Sequence, residues 1–172
     1  MIIITITIIV RTMYAARDIT NTVGCLGLIV SSIISKKAAE GINHLILDVK
    51  WGEGCYQDSL EKAEKLAEVL IQTSENVGVK TVAVISNMES PLGKSVGNSV
   101  EVEESVQCLR GGGSRDLREL VVVQGARLLV SSGQVTSLEL GVSKMETVLD
   151  NGEALERFRR MIIRQVINMT LK

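Results

Sequence analysis

The sequence predicts an α/β fold built on a parallel sheet, and three observations carry that prediction. His44-Leu-Ile-Leu-Asp-Val49 is a short apolar run of the kind buried on both faces of a sheet. Lys80-Thr-Val-Ala-Val-Ile-Ser86 is a second such run. Between them, Ser59 to Asn76 is strongly amphipathic at the helical period. The order strand, helix, strand implies a crossover connection and parallel pairing. The loops after the two strands, Lys50 to Asp58 and Asn87 to Asn98, should then leave at one carboxyl edge, where open α/β sheets bind ligands.

With 172 residues the chain can bury a real core in one domain, or in one and part of another. Its formal charge of −1 gives no global reason to bind nucleic acid or an anionic membrane. Four aromatic residues, Tyr14, Trp51, Tyr56 and Phe158, are too few for a base-stacking platform. Cys25, Cys55 and Cys108 are widely spaced, odd in number and without zinc spacing, which suits a reducing, cytoplasmic setting. His44, the only histidine, opens an apolar strand with no acid–base partner near it in sequence and is read as structural.

Along the chain, MIIITITIIV is apolar and β-branched, which suits a strand, either an added or misread terminus or an association-prone edge. Ten residues fall short of the roughly 20 a membrane helix needs. A basic start and a small-residue cleavage site, the marks of a signal peptide, are not evident. Arg11 to Asn21 reads as turn, with Asp18, Thr20, Asn21 and Thr22 available to cap the next helix. That helix is expected from about Leu28 to Glu40, with Gly41 as its left-handed C-cap. In the Ser59–Asn76 helix, Leu60, Ala63, Leu66, Ala67, Leu70 and Ile71 face inward, Glu61 and Lys65 pair outward, and Gly78 ends the element.

The remainder is expected to be helical: Ser99 to Arg110, Ser114 to Ser131, Ser137 to Leu149 and Glu153 to Asn168. Gly111-Gly112-Gly113 breaks the first of these from the second. It is not a phosphate cradle, because no strand precedes it and the GxGxxG context is absent.

The constellation with chemical content lies between Tyr14 and Lys50. Ser32 and Lys36, four apart in a helix, point the same way and offer a hydroxyl beside an ammonium. If the turn returns Arg17 toward them, three hydrogen-bond donors converge on a small volume suited to a planar, oxygen-rich, electron-rich ligand.

Four blocks in this chain carry a family resemblance: YAARDITNTV (Tyr14 to Val23), LIVSSIISKKAAEG (Leu28 to Gly41), LDVKWGEG (Leu47 to Gly54) and SNMESPLGKSVGNSVEVEES (Ser86 to Ser105). In order and spacing they resemble YALRDVTATV, LITSSIMSKKLAEG, LDVKVGSG and TDMNQPLGRAVGNALEVREA of the thymidine/pyrimidine-nucleoside phosphorylase family. The resemblance runs from about Met13 to Val166. It implies an α/β lobe with a partial parallel sheet and flanking helices, joined to a piece of an all-helical dimerisation lobe. Residues 13–41 would be that helical piece, 42–172 part of the α/β lobe and 1–12 an atypical extension. The related anthranilate phosphoribosyltransferases share the architecture, but the four blocks match them less well.

The resemblance implies phosphate-dependent cleavage of thymidine, deoxyuridine or uridine to free base and pentose 1-phosphate by a cytoplasmic homodimer. Its partners would be a pyrimidine nucleoside and inorganic phosphate, not nucleic acid or membrane. Arg17, Ser32 and Lys36 fall on the family's base-binding positions, where cationic donors stabilise charge developing on the leaving pyrimidine. No cofactor is required. In some members a potassium ion sits on positions equivalent to the Leu92 and Ser95 carbonyls and the Glu104 carboxylate. Full-length members place a K-x-S-x-G-G-x-G-D phosphate loop before the arginine block, and residues 1 to 13 hold no counterpart. No phosphate-binding or distinct catalytic residue is therefore assigned, and the 172-residue chain alone is expected to be inactive or nearly so. The competing expectation is a non-catalytic fragment or isoform acting as an interaction module.

Overall fold

Two strands pair in parallel in the computed structural model, which describes residues 2–170, with side chains described for 11–165. The chain divides into two compact units, residues 1–89 and 90–172. The first runs α1 (Ile2–Ile19), α2 (Leu26–Ala39), β1 (His44–Trp51), α3 (Leu60–Asn76) and β2 (Lys80–Asn87). β1 and β2 lie in register from His44 opposite Lys80 to Trp51 opposite Asn87. The α/β architecture and the parallel pairing are those the sequence predicts.

α3 supplies most of this unit's core. Its buried Ala63, Leu66, Ala67 and Leu70 pack with Val49 of β1 and with Val30 and Ile34 of α2. Leu47, Trp51, Ala83 and Ile85 are half-buried around them. Ser59 caps the helix, its hydroxyl accepting from the Lys62 N–H at 3.3 Å. Leu60, expected inward, is instead exposed, because it occupies the first turn. On the outer face Lys65 pairs with Glu68 at 3.4 Å rather than with Glu61.

The N-terminal stretch corrects two expectations. Residues 2–10, read as a strand, are helical in backbone, and their side chains lie outside the described residues. Residues 11–19, read as turn, continue the same helix. β-branched residues cost at most about 0.7 kcal/mol each in a helix, and Met13, Ala15, Ala16 and Arg17 are good helix formers. The turn starts only after Ile19. Asn21 takes the left-handed conformation (φ 52°), its N–H bonds the Asp18 carbonyl at 3.1 Å, and the Thr22 N–H reaches the Arg17 carbonyl at 2.9 Å. This pair of bonds is a helix C-terminal motif, so Asn21 and Thr22 close α1 rather than open α2. α2 begins after Cys25, in extended backbone, without a side-chain cap.

The second unit contains α4 (Asn98–Leu109), α5 (Arg115–Ser131), α6 (Leu138–Asp150) and α7 (Glu153–Thr170). α5 and α6 pack closely where Gly141 meets Ala126. A Cβ at Gly141 would lie 3.0 Å from Ala126 Cα and Cβ. Val122, Ala126 and Leu149 are buried in these two helices. Arg118 donates to Gly111 O at 3.1 Å and pairs with Asp150 at 2.8 Å, so one guanidinium ties the glycine break to the end of α6.

Candidate functional site

The first unit carries two cavities that share a wall made by Tyr14 and Arg17. Arg17 sits at the C-terminal end of α1, where a cation complements the helix dipole. It is only 7% exposed. Its Nη2 donates to the Val23 carbonyl, and its Cζ lies 4.9 Å from the centre of the Tyr14 ring. Nε and Nη1 are buried with no hydrogen-bond partner. An unsatisfied buried donor costs about 1–3 kcal/mol, so these two nitrogens make Arg17 costly to the fold as it stands.

The first cavity, about 270 Å³, lies between Arg17 and the α2 face carrying Ser31, Ser32 and Ser35. Ser32 Oγ donates to the Ile29 carbonyl at 2.9 Å, which leaves its lone pairs as acceptors. Arg17 and Ser32 thus line one cavity. Lys36, half-buried one turn further along α2, does not line it. The second cavity, about 200 Å³, is walled by Arg17, Val23, Ile29, Lys50, Cys55 and Tyr56 among others.

Lys50 belongs to a closed cluster at the carboxyl edge of the sheet. Its Nζ lies 2.7 Å from Asp48 Oδ2 and donates to Ser86 Oγ at 2.9 Å, and Ser86 donates in turn to Asp48 Oδ1. Asp48 and Lys50 are two apart in a strand and share a face, and Ser86 stands opposite Lys50 in the parallel register. Sequence reasoning assigned none of these three a role. The available signal was charge at two same-face positions of an otherwise apolar strand. The neighbouring loops are joined at the same edge: the Met88 N–H donates to Trp51 O at 2.7 Å and the Gly54 N–H to Met88 O at 3.1 Å. Gly52 (φ 132°) permits this approach, since a Cβ there would come within 2.8 Å of the Glu89 nitrogen.

In the second unit, Glu104 of α4 holds the loop before it. Its carboxylate accepts from the Lys94 N–H at 2.8 Å and the Ser95 N–H at 2.9 Å. These bonds, Lys94 foremost, lower its pKa below the usual glutamate value. Asp116 of α5 accepts from the Gly93 N–H at 2.9 Å, which likewise lowers its pKa. All three bonds are strengthened by ionised acceptors, so they are at full strength above the ordinary carboxylate range and weaken as pH falls through the depressed values. We expect the Lys94 and Ser95 amide NMR signals to titrate together at a pH below that of a free glutamate. Signals that stay fixed down to full protonation would show that Glu104 does not hold the loop.

Among the described residues, no group of three histidine, cysteine, aspartate or glutamate side chains could hold a metal, and no helix is long and apolar enough to cross a membrane. At the Leu92, Ser95 and Glu104 positions, the Glu104 carboxylate is engaged by the Lys94 and Ser95 N–H groups.

Residues 7–155 match the family model described as glycosyl transferase family, a/b domain. The chain is 42% identical over 155 residues to a pyrimidine-nucleoside phosphorylase of Bacillus subtilis, covering 90% of this chain and 36% of that protein. It is 42% identical over 156 residues to a thymidine phosphorylase of Mus musculus, covering 91% of this chain and 33% of that protein. A pyrimidine-nucleoside phosphorylase of Staphylococcus aureus is 41% identical over 155 residues. The chain spans about a third of the length of the curated relatives it matches.

Proposed function

The chain belongs to the glycosyl transferase family through its a/b domain, and from that premise we propose that it carries the pyrimidine-binding part of a nucleoside phosphorylase. The activity is phosphorolysis of thymidine, deoxyuridine or uridine to the free base and a pentose 1-phosphate. The observation that carries this reading is Arg17: a buried guanidinium with two unpartnered N–H-bearing nitrogens on the wall of two cavities, in a block like that of the relatives. Arg17 and Lys36 act as cationic donors to the pyrimidine oxygens, and Ser32 as a hydroxyl partner. The helical residues 13–41 form part of a dimerisation lobe and residues 42–172 part of the α/β lobe. The working protein is a cytoplasmic homodimer that takes a pyrimidine nucleoside and inorganic phosphate.

A potassium ion held by the Leu92 and Ser95 carbonyls and the Glu104 carboxylate would brace the loop before α4. No other cofactor enters the reading. The test is release of thymine from thymidine by the protein that carries this chain, followed with and without inorganic phosphate. Phosphate-dependent release supports the proposal. Release that ignores phosphate, or no release together with no affinity for thymine, overturns it.

A further inference from the structure

Resting on the phosphorylase reading, we propose that Lys50 is a further catalytic residue, an ammonium clamped at the sheet edge that donates to the leaving pyrimidine. In phosphorolysis a phosphate oxygen bonds to C1′ as the C1′–N1 bond breaks. The bonding pair leaves with the base, whose anion then takes a proton from water. The charge that develops is spread over the ring nitrogens and carbonyl oxygens, so a cation fixed beside them lowers the barrier more than it tightens ground-state binding.

Lys50 has the features such a donor needs. It lines the second of the two cavities that Arg17 walls, adjoining the one that holds Ser32. An ammonium carries three N–H donors, and the bonds to Asp48 and Ser86 take two of them, leaving the third for a ligand. Those two bonds also fix the position of a side chain that would otherwise lose substantial rotamer freedom on binding. The clamp is itself held, because Ser86 donates back to Asp48, so all three side chains orient one another. Lys50 touches the ligand in this scheme; Asp48 and Ser86 are positioning residues.

The experiment separates charge on the base from binding of the base. Wild-type chain, Lys50→Met and Ser86→Ala are titrated with 5-nitrouracil, whose ring is ionised at neutral pH, and with thymine, which is neutral there. A charge-assisted hydrogen bond predicts that Lys50→Met loses about tenfold or more in affinity for the anion and less than about threefold for thymine. Ser86→Ala keeps the ammonium and its pair with Asp48 but removes one of its two restraints, and is expected to show the same selectivity with a smaller loss. It also carries the test alone if Lys50→Met fails to fold. Equal losses for both ligands, or none for either, overturn the role of Lys50 while leaving the phosphorylase reading intact. A wild-type chain that binds neither ligand overturns both.

Discussion

Arg17→Met is expected to cut kcat/KM for thymidine by about two to three orders of magnitude, the usual loss when a charge-stabilising donor is removed. The same change should leave the melting temperature unchanged or slightly raised. The reason is that Arg17 is costly to the fold as it stands. It is buried, its Nε and Nη1 have no partner, and its one hydrogen bond goes to the Val23 carbonyl. Replacing a poorly satisfied buried charge with an apolar side chain of similar length is often neutral or stabilising. Methionine keeps contact with Tyr14 through sulfur–aromatic packing. Steady-state kinetics on the protein carrying this chain and a thermal melt check the two halves. Undiminished turnover would remove Arg17 from the site, and a sharp drop in melting temperature would recast it as a structural residue.

Leu70→Ala should produce the largest loss of stability in the first unit. Leu70 is 2% exposed, in the middle of the α3 face that meets α2 and the sheet. Truncating a fully buried leucine costs about 2–5 kcal/mol, the spread reflecting how far the cavity collapses. Around Leu70 the neighbours include Ala63, Ala67 and β-branched Val30, Ile34 and Val49, which have little freedom to fill a void, so the upper part of that range is expected. A domain's whole stability is of order 5–15 kcal/mol, and such a loss would bring the unit close to unfolding at ambient temperature. Urea denaturation followed by Trp51 fluorescence measures it, since Trp51 packs against this core. A change in midpoint worth less than about 1 kcal/mol would show that Leu70 is not where the packing energy lies.

The elements with strong periodicity were legible in the sequence. α3 announced itself by six apolar positions at helical spacing, and β1 and β2 by short apolar runs on either side of it. The helix at the start of the chain was not, because isoleucine and threonine favour strands only weakly. Propensities worth tenths of a kcal/mol are outweighed by a continuous hydrogen-bonded ladder running into Met13–Arg17. Asn21 misled for a related reason: the residue types that cap a helix start also tolerate the left-handed turn that ends one. At the site, spacing singled out Ser32 with Lys36, four apart on one helix, and Arg17 only on condition that the turn returned it; the cavity joins Arg17 to Ser32 and leaves Lys36 out. Lys50 could not be given a role from spacing alone. Its significance depends on Ser86, which comes to it only through the register of two strands, and on an Arg17 guanidinium carried on a separate helix.

That strand register also dictates when the site can exist. Lys50 and Ser86 are 36 positions apart, with the whole of α3 between them. The second unit closes sooner, since α5 and α6 are joined by a few residues and need no distant pairing. Folding speed falls as contacting residues become more distant in sequence. Contact order therefore favours early closure of the helical unit and late pairing of β1 with β2. Until β2 docks, β1, a largely apolar strand, lacks the one partner it has in the native sheet, and an unpaired apolar strand edge is a template for association.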